Sequence, residues 1–306
     1  MLWMRDFVFW LSKKKKITSF IGRTGMRLGF ARRFIAGETL ADGLRVAAKL
    51  NAQGLAVSMN HLGENVFSRE EAEAACASYE QMLHRLHEQK LDANISIKPT
   101  HLGLKFAPAL CQELTERLVR QAAQWNNFVE VDMEDSPTVD ATLDLFEAVR
   151  RKYENIGLAI QAYLYRTARD LERLRPLRPK IRLVKGAYRE PASIAFPRKS
   201  QVDENYRTLL QYLFANGFFP AVATHDEKML KFARQVIAQN GVEPTRFEFQ
   251  MILGVRRDLQ QALRTEGHRL RVYVPFGQEW VAYFMRRLAE RPANFGFVLR
   301  NLLLER

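Results

Sequence analysis

Lys98, Asp132, Gln161, Lys185 and His225 each close a short apolar run, and Arg182 lies inside one of those runs. A buried backbone therefore delivers ionisable or amide groups to the ends of its strands. Lysine, arginine and carboxylate in one place can hold a substrate anion, move a proton, or stabilise charge that develops during reaction. A second constellation lies near the C-terminus. Arg286 and Arg287 are adjacent, and Glu290 follows them at i+4 and i+3. Two guanidiniums braced by one carboxylate grip a substrate carboxylate bidentately. The same spacing also describes an exposed helix pair worth a few tenths of a kcal/mol. Tyr273, which ends the preceding apolar run, adds weight to the ligand reading, and both readings stay open.

The remaining ionisable residues sort by position. An unpaired Arg182 within a buried strand would cost several kcal/mol, so it requires an anionic partner, which Asp132 or Glu64 could supply. A buried ion pair that only holds the fold is the alternative role for that strand. Asp132 and Glu134 are two apart and share a strand face. Gly186, after Lys185, lets the backbone approach a ligand closely. His84 and His87 have helical metal-ligand spacing, but surface helix histidines explain them as well, and no metal is expected.

Eight elements must position these groups. The runs are Leu55–Asn60, Asn94–Lys98, Phe128–Asp132, Leu158–Gln161, Ile181–Lys185, Ala221–His225, Phe247–Gln250 and Leu270–Tyr273. Each has strand length, and a helix-length segment separates each from the next. Thr39 caps a helix over Leu40–Asn51. Ser68 with Glu71 forms a capping box for Glu71–Gln89. Pro108–Gln124 follows, then a helix from Thr138 or Asp140 through Tyr153. Segments 167–175, 201–216, 226–239, 255–266 and 278–291 complete the set. Strict alternation predicts a parallel sheet with right-handed crossovers, and eight units predict closure into an α/β barrel. A doubly wound open sheet would more often show a Gly-rich first turn, and Gly22–Gly25 neither follows a strand nor fits that pattern. Residues 1–50 read as a helical segment and 51–306 as the barrel.

The 306 residues are 47% hydrophobic and 26% charged, which suits a chain that buries a full core. Cys76 and Cys111 fall in helix-like segments and read as reduced thiols. The net charge of +13 is densest at the N-terminus. Met1–Gly37 holds Arg5, Lys13, Lys14, Lys15, Lys16, Arg23, Arg27, Arg32 and Arg33 against Asp6 alone. Apolar Leu2, Trp3 and Phe7–Leu11 precede the lysine run. That order is wrong for a secretory signal, and the stretch is too short to span a membrane. An amphipathic helix on an anionic membrane surface and a helix that caps the barrel both fit. No zinc-finger, helix-turn-helix or RNA-binding signature accompanies the charge, so nucleic acid is not an expected partner.

Taken in order, Ile95-Ser-Ile-Lys98, Val131-Asp-Met-Glu134, Ile160-Gln-Ala-Tyr163, Arg182-Leu-Val-Lys-Gly-Ala-Tyr188, Ala223-Thr-His225, Glu248-Phe-Gln250, Tyr273-Val-Pro-Phe-Gly277 and Arg286-Arg-Leu-Ala-Glu290 resemble the proline dehydrogenase family. The correspondence runs from about residue 40 to the C-terminus and looks like the monofunctional bacterial form, without the aldehyde dehydrogenase half of the fused enzyme. The resemblance implies a distorted (β/α)8 barrel that binds FAD without a Rossmann domain. It implies oxidation of L-proline to Δ1-pyrroline-5-carboxylate, the first step of proline catabolism to glutamate, and a downstream pyrroline-5-carboxylate dehydrogenase as a possible partner.

It also implies residue roles. Lys98, Arg286 and Arg287 would hold the substrate carboxylate, with Glu290 orienting the arginines and Tyr273 packing on the proline ring. Tyr283, one turn before the arginines, would crowd a hydroxylated substrate. Asp132 would belong to the polar network on the substrate side. Arg182 would lie near the reactive edge of the flavin, with Glu64 as the acid that pairs with it. Gln161, Lys185, Gly186, Ala187, Tyr188, Thr224 and His225 would contact FAD. Arg189 stands where many members carry an aromatic residue. Electrons would pass to a membrane quinone, which places the protein in the cytoplasm, peripherally on the inner membrane, and gives the basic N-terminus a docking role. Two readings from other classes compete. One is an aldolase-like lyase with Lys98 or Lys185 as Schiff-base nucleophile. The other is a non-catalytic basic scaffold for membrane or nucleic acid.

Overall fold

The computed structural model describes residues 31–281 and 283–285. The eight apolar runs all form strands: β1 (Ala56–His61), β2 (Ala93–Ile97), β3 (Val129–Val131), β4 (Ile156–Gln161), β5 (Lys180–Val184), β6 (Phe219–Ala223), β7 (Glu248–Ile252) and β8 (Leu270–Phe276). They pair in parallel in sequence order, and β8 closes on β1. The helices are α1 (Leu40–Asn51), α2 (Arg69–Glu88), α3 (Pro108–Gln124), α4 (Val139–Arg150), α5 (Thr167–Leu174), α6 (Lys199–Ala215), α7 (Glu227–Gln239) and α8 (Arg257–Thr265).

Outward strand residues such as Val57, Met59, Ile95, Ile97, Val129 and Val131 join helix residues such as Cys76, Tyr79, Leu114 and Leu118 in one buried apolar layer. Inward residues are unusually polar for a barrel, whose interior is ordinarily filled with branched apolar side chains. Small neighbours make room for them. Arg182 lies in register between Ala159 on β4 and Ala221 on β6.

Local chemistry sets the helix ends. Thr39 caps α1 in a full capping box with Asp42. Ser68 accepts from the Glu71 amide at 3.1 Å, but the Glu71 carboxylate turns to the Phe67 amide at 2.7 Å, so the expected reciprocal box at α2 is only half formed. α4 ends at Arg150, before Tyr153, and α6 begins at Lys199, two residues ahead of the expected start. α1 packs on the seam where β8 meets β1, and contributes Leu44, Ala47 and Leu50 to the core. The stretch before it is tied down as well. The Ala36 amide donates to the Pro275 carbonyl, the Arg33 side chain to the Gly254 carbonyl, and the Trp280 indole to Glu38. Residues 31–50 are thus part of the barrel's wall.

Cys76 and Cys111 are buried free thiols, pushed up to about 12 by burial. His84 and His87 both pack on Trp125, His87 stacked with ring centroids 4.9 Å apart. Arg286, Arg287 and Glu290, and the basic segment 1–17, lie outside the described residues.

Candidate active site

Three polar layers stack inside the barrel. The lowest joins β8, β7 and β5. Arg271 donates to Glu248 at 3.0 Å, to the Asn94 side chain at 3.0 Å and to the Val57 carbonyl at 2.8 Å, while Lys180 reaches Glu248 at 2.7 Å. Burial pushes the Glu248 carboxyl up, but Arg271 and Lys180 outweigh it and hold the group well below the usual carboxylate range.

The middle layer centres on Arg182. Its Nε donates to Gln250 at 2.7 Å, one terminal nitrogen to Asp132 and to Ser96 at 3.1 Å, and the other to Glu130 at 2.6 Å and Ser58 at 3.3 Å. A guanidinium carries five N–H groups, and these five bonds account for all of them. Arg182 and Glu130 are both buried. Burial would lower the Arg182 pKa, and Glu130 and Asp132 more than reverse that, so the guanidinium stays charged.

The upper layer sits at the strand ends. Asp132, one residue past β3, accepts from Ser96 at 2.8 Å, from the Tyr273 hydroxyl at 2.8 Å and from Arg182, and lies 3.8 Å from the Lys98 ammonium. Burial pushes Asp132 up, yet Arg182 and Lys98 together hold it below its ordinary value. Lys98, one residue past β2, is 3.5 Å from Glu64. Desolvation opposes its charge, and Tyr188, Asp132 and Glu64 overcome that and raise its pKa. The Tyr273 ring carries the Arg182 guanidinium 5.2 Å from its centroid. Tyr283 is buried, and together with burial and Asp132 it raises the Tyr273 hydroxyl pKa. This layer is a largely buried cluster of Lys98, Asp132, Glu64 and Tyr273 over the Arg182 guanidinium, with the Lys98 ammonium able to bind an anionic group at the barrel mouth.

The pairing differs from the expected one at two points. Asp132 does partner Arg182, but the second acid is Glu130, and Glu64 approaches Lys98. Closure of the barrel brings β3 across to β5, while the loop after β1 carries Glu64 to the end of neighbouring β2. Glu134 does not join Asp132 on the network. Its carboxylate turns to the Thr100 amide at 2.9 Å and the Thr100 hydroxyl at 2.7 Å, and burial raises its pKa. Glu130, Glu248 and Arg271 were not singled out from the sequence. Their period-two alternation with apolar residues is the signal that would have marked them as inward-facing.

A second arc of residues lines the ends of β4, β5 and β6. Gln161 donates from its amide nitrogen to the Glu134 carbonyl at 2.9 Å. Lys185 is pinned between Asp203 and, at 2.7 Å, Asp226, and Lys199 joins both acids. Thr224 accepts from the Asp226 amide at 3.1 Å. The His225 Nε2 accepts from the Ile252 amide at 2.8 Å, which fixes the ring and makes Nδ1 the protonated nitrogen. Gly186 has φ +115°, and a Cβ there would lie 2.2 Å from the Tyr163 ring. Ala187 and Tyr188 follow, both half-buried. This arc therefore offers bare backbone flanked by an amide, a hydroxyl, an imidazole and a lysine.

The sequence matches the profile described as proline dehydrogenase over residues 43–300. It is 40% identical over 300 residues to proline dehydrogenase 1 of Bacillus subtilis subsp. natto, covering 98% of this chain and 99% of that one. It is 37% identical over 278 residues to proline dehydrogenase of Deinococcus radiodurans, covering 89% and 90% respectively. In three dimensions it is similar to proline utilization A (PutA) from Bdellovibrio bacteriovorus, with TM-score 0.80 and 24% identity. That alignment covers 85% of this chain but only 32% of the PutA chain.

Proposed function

Because this chain belongs to the proline dehydrogenase family and is an oxidoreductase of proline catabolism, we propose that it oxidises L-proline to Δ1-pyrroline-5-carboxylate with bound FAD and passes the electrons to a membrane quinone. The observation that carries this reading is the meeting of Lys98 and Asp132, just past the ends of two strands, with Tyr273 and Arg182 from the interior of two others. FAD, when bound, supplies the two-electron acceptor for the substrate's C–H bond. The arc of Gln161, Lys185, Gly186, Thr224 and His225 fits such a group. It combines hydrogen-bonding side chains with a glycine at the strand end, which has no side chain of its own and a φ of +115°.

Each residue then has a task. Lys98 holds the substrate carboxylate, joined by Arg286 and Arg287 with Glu290 as their brace. Tyr273 forms the floor under the ring, and its hydroxyl is fixed by Asp132. Holding proline by its carboxylate presents the ring carbon that loses hydride, which is catalysis by positioning. Arg182 supplies fixed positive charge toward the acceptor side, where negative charge accumulates. Glu64 neutralises Lys98 from the loop after β1. Tyr283 narrows the pocket against a hydroxylated ring.

The Schiff-base lyase requires a neutral lysine amine, which enzymes obtain by lowering its pKa. The carboxylates around Lys98 act in the opposite sense. The visible spectrum of the purified protein tests the proposal. Flavin absorbance that bleaches on anaerobic addition of L-proline is the expected result. A colourless protein, or trapping of a carbonyl substrate by borohydride, would overturn it.

A further inference from the structure

Glu130 has no task in the reading above, yet it is fully buried beneath the site. It is one residue before Val131, and so faces inward on the same strand edge as Asp132. The two acids grip different nitrogens of one guanidinium. Asp132 is shared with Ser96, Tyr273 and Lys98, whereas Glu130 accepts hydrogen bonds, among the described residues, from Arg182 at 2.6 Å and from the Gln250 amide at 3.4 Å. Gln250 in turn accepts from Arg182 Nε at 2.7 Å and donates to Glu248 at 2.7 Å, which ties the middle layer to the lower one.

Two consequences follow. With all five N–H groups committed, Arg182 acts on the site above it through its charge and not through a spare donor. That charge is itself compensated. Across the linked layers Arg182, Lys98, Lys180 and Arg271 carry +4 and Glu130, Asp132, Glu248 and Glu64 carry −4, so the network is neutral, and without the Glu130 charge it would be +1. In a dry interior one charge is felt over several ångströms.

We infer that Glu130 is a positioning residue for Arg182, and that its negative charge lowers the reduction potential of the cofactor at the barrel mouth. The inference rests on the flavin reading given under Proposed function. Removing an anion near the cofactor favours its more negative, reduced form, and adding one does the reverse.

The test is the midpoint potential of the holoenzyme, measured by anaerobic dye equilibration. Glu130→Gln keeps the shape and the hydrogen bond to Arg182 but removes the charge. It is expected to shift the reduced-to-oxidised ratio at fixed potential by tenfold or more toward reduced, a rise of about 30 mV for a two-electron couple. Glu130→Asp keeps the charge and should stay near the parent value. Glu130→Met removes the charge and the hydrogen bond together and should raise the potential as Glu130→Gln does. An unchanged potential in Glu130→Gln, even with reduced activity, would overturn the inference, because Glu130 would then serve the fold alone. If Glu130→Gln does not fold, Glu130→Met decides: a rise supports the inference and no change overturns it. A parent protein without flavin would instead overturn the proposed function, so the two failures are distinguishable.

Discussion

Two oxygens of Asp132 serve Ser96, Tyr273, Arg182 and Lys98 at once. Removing one partner of a buried ion pair leaves the other uncompensated, at a cost of about 3–5 kcal/mol. Asp132→Asn keeps the shape but takes away the charge shared by the two cations, so kcat/KM for proline should fall by about 100-fold or more, at 1.36 kcal/mol per decade. The pH dependence has a definite sign. Asp132 is held below its ordinary value, so it is ionised throughout the neutral range. The stability it contributes is present above the usual carboxylate pKa of about 3.9 and is lost as pH falls through its lower native value. Steady-state kinetics from pH 6 to 9 should therefore show a lowered plateau with unaltered limbs. Loss of an acidic limb in the variant would mean that Asp132 titrates in the working range.

At the scale of elements, the strand ends carry the chemistry and glycine shapes one of them. Gly186 sits at φ +115° with the Tyr163 ring against it. Gly186→Ala must move that ring or the backbone, at a cost of about 1–3 kcal/mol for a strained conformation. Flavin content per chain and the thermal midpoint should both fall, and a variant that retains both would show that the strand end tolerates a side chain. Strand existence, barrel closure and helices such as Leu40–Asn51 and Pro108–Gln124 were legible in the sequence, because apolar runs, caps and Pro at the first turn are local signals. That Arg182 needs an acid was legible too, since burial demands a counter-charge, and Asp132 was one of the two acids the sequence offered. Which other acid would arrive was not. Glu130 is 52 residues from Arg182 in sequence and meets it only across the closed barrel. Asp203 and Asp226 meet Lys185 from the helix after β5 and from the end of neighbouring β6. Glu64 was expected at Arg182, but the loop after β1 delivers it to Lys98 instead.

The whole molecule carries +13, and the barrel interior does not explain it, because its cations are matched by acids. Residues 1–17 hold five cations (Arg5 and Lys13–Lys16) against Asp6, a net +4, so +9 remains without them. Among the described residues no helix is long and apolar enough to cross a membrane. The proposed delivery of electrons to a quinone needs contact with a membrane, and an apolar stretch followed by a lysine run can provide surface attachment. Each lysine or arginine near an anionic surface contributes about 1 kcal/mol, so five supply up to about 5 kcal/mol, before any apolar insertion. Removing residues 1–17 should abolish co-sedimentation with vesicles rich in anionic lipid and slow proline oxidation coupled to membrane quinone. Oxidation coupled to a soluble dye should be spared, because the strand-end site lies elsewhere in the chain. Binding of the full chain should weaken as salt rises and screens the surface. If the segment caps the barrel instead, truncation will lower the thermal midpoint and leave vesicle binding intact, and the docking role fails.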